Sequence, residues 1–232
     1  MILYKVKKLN MVIATNPKSG VTSTANLLEK LQVSFVRKDL YNKDLVSKFI
    51  SEFENVALVF RNPYERAVSM YIRFCSTLNN PDKRKKDQAK NILKQLNRNE
   101  DDVSFVDFLE YLDQTSIQNR DIHYRPQELI YSTHCLVRTE NFKEDMRHFF
   151  VSSGFDYGSK ELLKLEAEDL VKNRCSKVRS KPGGDLSDTG SGEILKYSEI
   201  GFPEVDSFLN NKTMGLIKNL FSEEIEYVVR KK

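Results

Sequence analysis

Residues 11–28 read MVIATNPKSGVTSTANLL, and the fold turns on them. Met11–Thr15 is a short β-branched run that stops at Asn16-Pro17; beyond it, Ala25, Leu27, Leu28 and Leu31 fall at roughly helical spacing from Thr22 onward. Strand, loop and helix follow in that order, and the loop carries Lys18, Gly20 and a cluster of hydroxyls. Backbone N–H groups at a helix start, with the helix dipole behind them, attract a phosphate or sulfate, and a nearby lysine adds a point charge. The loop is built for an anion.

The pattern recurs along the chain. Val33–Arg37 predicts a strand, Asp44–Phe53 a helix, and Val56–Phe60 (VALVF) a fully apolar strand. After Arg61-Asn62-Pro63 comes a helix in which Ala67, Met70, Tyr71, Phe74 and Leu78 recur three or four residues apart. In HCLVRTENFKEDMRHFF, residues 134–150, Cys135–Arg138 reads as a strand, Asn141 as a helix N-cap and Glu144 as its capping-box partner. Continuous apolar strands separated by helices predict a three-layer α/β/α arrangement around a central, mostly parallel sheet. The opening MILYKVKKLNMVIATN supplies one strand, at 11–15, and lacks a cleavable leader pattern. The segment from Asp206 to Lys232 has helical character, and no internal repeat is visible.

A length of 232 residues predicts a single domain, 1–232, carrying a charged insertion at 80–102 and a glycine-rich loop at 179–193. Seven Lys or Arg fall within 82–102, which reads as a solvated helix; four of the nine glycines fall within 179–193, which reads as a mobile loop or lid. With 40% apolar and 30% charged residues, and no apolar run near the roughly 20 needed to span a bilayer, the expectation is a soluble, cytoplasmic protein. Cys75, Cys135 and Cys175 lack CxxC pairing, which argues against a disulfide framework or zinc site and for a reducing compartment. A net charge of +4 is too small to imply nucleic acid, though it suits a local basic site for an anion.

The nearest general comparison for the loop is Walker A, G-x-x-x-x-G-K-[ST], and it fails: the first glycine is missing and Lys18 precedes Gly20. No acidic strand end suited to a magnesium nucleotide stands out, and no metal is expected. The run Pro17, Lys18, Ser19, Gly20, Val21, Thr22, Ser23 instead resembles the 5′-phosphosulfate loop of the sulfotransferases. FRNPYERAVSMYIRF, residues 60–74, resembles that family's 3′-phosphate segment, in which a strand ends in arginine, here Arg61, and serine follows eight residues later, here Ser69. Taken singly, Arg61 and Arg66 read as surface ion-pairing residues and Ser69 as an ordinary helix residue; the combination with the first loop favours the family reading. The likeness runs from residue 11 to about 150 and is closest to the membrane-associated carbohydrate sulfotransferase branch, although this sequence shows no anchor.

The resemblance implies a P-loop NTPase-like sulfotransferase fold, with 3′-phosphoadenosine 5′-phosphosulfate (PAPS) as donor and a hydroxyl of a carbohydrate or glycolipid as acceptor. Lys18 would stabilise the leaving phosphate, with residues 17–23, Arg61 and Ser69 around the donor. A late basic loop closes over the donor in the family, and Arg179 and Lys181 sit at about that place. The segment DIHYRPQ, residues 121–127, resembles the family's D-x-H-x-x-P-Q acceptor segment, making His123 the expected general base. Asp121 either orients the ring or caps a turn, Arg125 contacts an acidic acceptor or solvent, and Gln127 has no clear role. Of the other histidines, His134 reads as capping the sheet and His148 as a helix-surface residue; Glu65 is the substitute base should His123 be dispensable. Two rivals stand beside this reading: a P-loop-type kinase or nucleotide-binding protein, and an inactive glycan-binding module of the same fold.

Overall fold

The computed structural model describes residues 1–6, 9–78, 83–155, 184–197 and 203–230. They group into two compact units, one from residues 1–62 with 127–172, the other from 63–126 with 173–230.

The first unit is built on a five-stranded sheet: β1 (Ile2–Val6), β2 (Met11–Thr15), β3 (Phe35–Asp39), β4 (Asn55–Phe60) and β5 (Cys135–Arg138), in spatial order β3-β1-β2-β4-β5. β2, β4 and β5 are parallel neighbours, and β1 runs antiparallel to both β2 and β3, so four strands share one direction. The expected mostly parallel sheet is present, with one strand more than the sequence suggested. Ile2–Val6 pairs with Met11–Thr15 as a hairpin rather than leading into a single strand. Its alternation is regular: Ile2, Tyr4 and Val6 point to one face, where Leu27 and Leu28 of α1 (Val21–Lys30) and Phe142, Met146, Phe149 and Phe150 of α6 (Phe142–Ser152) bury them. On the other face lies α2 (Lys43–Ile50) and the chain after it, where the ammonium groups of Lys38 and Lys5 sit 4.5 and 5.2 Å from the Phe49 and Phe53 rings.

Asn141 is the N-cap of α6, but its side chain makes no cap bond. The expected capping box does not form, because Glu144 turns to Arg147 (3.1 Å) and Asp145 takes Arg138. His134 extends the edge of β5: its Nδ1 accepts from Val56 N–H at 3.2 Å while its own N–H donates to Val56 O at 2.9 Å.

The second unit is helical, made of α3 (Pro63–Leu78), α4 (Lys83–Leu96), α5 (Phe105–Gln114), α7 (Ser191–Lys196), α8 (Asn211–Leu220) and α9 (Ser222–Arg230). Its core is aromatic: Tyr71 stands 5.4, 5.8 and 5.9 Å from the rings of Phe105, Phe108 and Phe208. The charged segment does form a helix, α4, but it is not wholly solvated; Ala89, Ile92 and Leu93 make an apolar edge buried in this core. Nor is the described part of the glycine-rich segment loose. Ser191 Oγ donates to Glu100 O at 2.5 Å, and Gly192 and Val106 N–H donate to Asp101 O and Ser187 O at 3.1 and 3.2 Å. A Cβ at Gly190 would collide with the Asp101 carbonyl, so glycine there permits the close approach. Cys75 and Cys135 are free thiols that burial pushes up to about 12 and about 11; Cys175 lies outside the described residues.

Candidate active site

β2 and β4 pair in parallel with Thr15 opposite Val59, so the loops after them leave the same, carboxyl edge of the sheet. One is Asn16–Gly20 and the other begins at Arg61. In the first loop Lys18 and Gly20 both take left-handed backbone, at φ 68° and 79°, on either side of Ser19. A left-handed lysine costs roughly 1–2 kcal/mol, the kind of strain that functional loops hold. Gly20 is required twice over, since a Cβ there would also stand 2.8 Å from Val59 Cγ1.

Gly20 is the N-cap of α1, with no side-chain cap bond and no acidic residue in the first turn. The first helical bond runs from Thr24 N–H to Gly20 O, 2.8 Å, so the amides of Val21, Thr22 and Ser23 precede it and point out of the helix end. Ser23 is buried, Thr22 exposed, and Pro17, Lys18 and Val21 half-buried. Thr24 Oγ1 is fully buried and has no hydrogen-bond partner among the described residues. An orphaned hydroxyl at an uncapped helix start fits an anionic group, so the chemistry of this loop suits a phosphate or sulfate.

The two loops are held together by a residue that the sequence left without a role. Gln127, 3% exposed, accepts through Oε1 from Ser19 Oγ (2.5 Å) and Arg61 N–H (3.0 Å), and donates through Nε2 to Arg61 O (2.9 Å). Next to it, Glu128 N–H donates to Asn16 Oδ1 and Asn16 Nδ2 donates to Glu128 O, each at 3.0 Å. Gln127, the end of the D-x-H-x-x-P-Q segment, and the following Glu128 therefore clasp the first loop at two points, and Gln127 clasps the β4 exit at one. Gln127→Ala removes three bonds of a buried amide, and a loss of about 2 kcal/mol is expected from a urea titration; a loss under 0.5 kcal/mol would mean water replaces the amide freely.

Ser69 and His123 belong to the helical unit. Ser69 lies in the second turn of α3 and is 4% exposed. Arg66, one turn earlier, is not a surface ion-pairing residue: it is 1% exposed, 3.6 Å from Glu224, and its Nη2 donates to Arg125 O at 2.5 Å. His123 is half-exposed, with Nδ1 2.6 Å from Asp121 Oδ1; the same oxygen accepts the His123 backbone N–H at 2.8 Å. Asp121 thus caps a turn and orients the ring at once. Burial by itself would raise the Asp121 carboxyl, but the hydrogen bonds from the His123 ring and backbone outweigh it and hold the group below the usual carboxylate range. Ionised Asp121 fixes the proton on Nδ1, which leaves the lone pair on Nε2. His148 is exposed on α6, and Arg179 and Lys181 lie outside the described residues.

The family model described as the sulfotransferase family matches residues 3–167, most of the chain. The chain belongs to the sulfotransferase family. Comparison with curated proteins and with solved structures gave no match. The match runs through the Lys18 loop, Arg61, Ser69 and His123 of this sulfotransferase and ends before Arg179 and Lys181. Sulfotransfer is therefore its class of reaction, and PAPS is the donor that the family generally uses. No described helix is long and apolar enough to cross a membrane.

Proposed function

We propose that this sulfotransferase moves the sulfuryl group of PAPS to a hydroxyl of a carbohydrate or glycolipid acceptor. The observation that carries the reading is the Gln127 clasp, which sets an anion-binding loop and an arginine at a strand exit in fixed register, as a donor with two separated phosphate groups requires. Bound PAPS supplies an activated sulfuryl group whose bond to the 5′-phosphate oxygen breaks as the acceptor oxygen bonds to sulfur. Residues 17–23 hold the 5′ end through backbone amides and the Thr22 and Ser23 hydroxyls. Lys18 meets the negative charge that grows on the leaving phosphate oxygen. Arg61 and Ser69 hold the 3′-phosphate, and Arg179 and Lys181 close over it. His123 Nε2 takes the proton from the acceptor hydroxyl, with Asp121 holding the ring in its tautomer.

A thermal-shift titration tests the donor site. Adenosine 3′,5′-bisphosphate at 100 times its dissociation constant adds about 2.7 kcal/mol of stability, and adenosine 5′-monophosphate at the same concentration adds less. A preference for ATP with magnesium would overturn the reading in favour of a kinase-like protein. Lys18→Ala is expected to lower turnover by roughly 10²–10³-fold while the bisphosphate shift stays close to wild type. Equal losses in both would make Lys18 a uniform binding residue.

A further inference from the structure

Gln127 joins two segments that the proposed donor must meet at once. Toward the sheet, its amide gives Arg61 the pair of bonds that a strand residue exchanges with its neighbour: Oε1 takes the Arg61 N–H at 3.0 Å, and Nε2 donates to the Arg61 carbonyl at 2.9 Å. The pairing fixes the direction of the amide, because a reversed group would set donor against donor and acceptor against acceptor. Strand-like pairing is thus carried one residue past the end of β4 at Phe60. Arg61 leaves the sheet from a backbone held at both of its polar atoms.

Toward the loop, the same Oε1 takes the Ser19 hydroxyl at 2.5 Å. Ser19 is wholly buried, and its N–H closes a turn onto Asn16 O at 3.0 Å. One oxygen atom is therefore the common reference of Ser19 and Arg61. The neighbouring bonds have a different task. The Asn16 side chain exchanges two bonds with the Glu128 backbone, and these hold the loop itself without reaching Arg61. The shape of the loop and its register against Arg61 are in this way held by separate residues.

We infer that Gln127 is a positioning residue for donor specificity: it sets the separation of the 5′ and 3′ phosphate sites and so selects a nucleotide that carries both groups. The inference rests on the reading of residues 17–23 and Arg61 as those two sites. A ligand with two phosphate groups gains most when both sites already stand at its own span, because the second contact is then made without further ordering. A ligand with the 5′-phosphate alone needs only the loop, which Asn16 and Glu128 hold. Loss of the Gln127 amide weakens the first ligand and spares the second.

Calorimetric titration of the full chain with adenosine 3′,5′-bisphosphate and with adenosine 5′-monophosphate tests this. The wild-type chain is expected to bind the bisphosphate about tenfold or more tighter. Gln127→Met, which keeps a side chain of similar length without its bonds, should lower bisphosphate affinity about fivefold or more while monophosphate affinity stays within about twofold. Ser19→Ala removes a single bond and should act in the same direction by about twofold or more; so small a change keeps the test valid should Gln127→Met fail to fold. Asn16→Ala, which loosens the loop as a whole, should weaken both nucleotides alike. Parallel losses of both nucleotides in Gln127→Met and Ser19→Ala, or an unchanged preference in both, overturn the inference and leave the donor reading standing. A wild-type chain without preference for the bisphosphate overturns the donor reading itself, and the specificity role of Gln127 with it.

Discussion

Replacing His123 by alanine is expected to lower turnover by roughly 10²–10⁴-fold while the thermal shift with adenosine bisphosphate remains. The expectation follows from the geometry around one oxygen. Asp121 Oδ1 takes both the backbone N–H and the ring Nδ1 of His123, so the ring can neither rotate freely nor carry its proton on the other nitrogen. A neutral ring held in this way presents the lone pair of Nε2. Asp121→Asn should also lower turnover, because an amide can present N–H to the ring and reverse the tautomer. Single-turnover rates with saturating donor check both variants. His123→Ala activity within threefold of wild type would remove the histidine from the chemistry and turn attention to Glu65.

The pH profile sharpens this test. The Asp121 carboxyl is held below its ordinary range, so its contribution to stability is present above the unfolded value, about 3.9, and is lost as pH falls through the lower folded value. Across pH 5–8 the carboxylate therefore keeps its charge. A rate that falls with decreasing pH in that window reports a group other than Asp121.

The parts of the fold that the sequence revealed are those that local pattern controls. β2 and β4 are apolar runs because these central parallel strands bury both faces, α1 carries helical periodicity because it packs one face, and α3 is apolar around most of its circumference because it is buried on most sides. β1 escaped because its place is decided by pairing with β2 and β3, and Lys5 breaks its apolar run. The capping box expected at Asn141 and Glu144 is absent, yet the same signature forms at Ser104 and Asp107, where Asp107 Oδ2 takes the Ser104 N–H while its Oδ1 takes Arg98. The anion loop was legible because lysine, glycine and hydroxyls at a helix start have few other uses together. Gln127 was not, since two of its three partners are backbone atoms of Arg61, which no side-chain pattern records.

Removing the carboxylate of Glu224 should cost about 3–5 kcal/mol of stability, more than the loss expected at Gln127. Glu224 and Arg66 are each 1% exposed and stand 3.6 Å apart, joining α9 to α3, with the guanidinium 5.8 Å from the Phe221 ring. In Glu224→Ala the buried arginine keeps its charge without that carboxylate, and for a chain of this size the melting temperature should fall by roughly 6–20 °C. Arg66→Met in the same background removes the buried charge and should recover part of the loss, the remainder being the volume that alanine leaves unfilled. Urea titrations of the two single variants and the double variant measure the coupling directly. A Glu224→Ala loss below 1 kcal/mol, or a double variant no better than the single, would mean that Arg66 is neutralised by other groups. The pair also bears on chemistry, since Arg66 Nη2 holds the Arg125 carbonyl two residues from His123. Glu224→Ala should therefore weaken turnover at temperatures where the chain is still folded, and Arg66→Met/Glu224→Ala should recover part of the stability without restoring the rate.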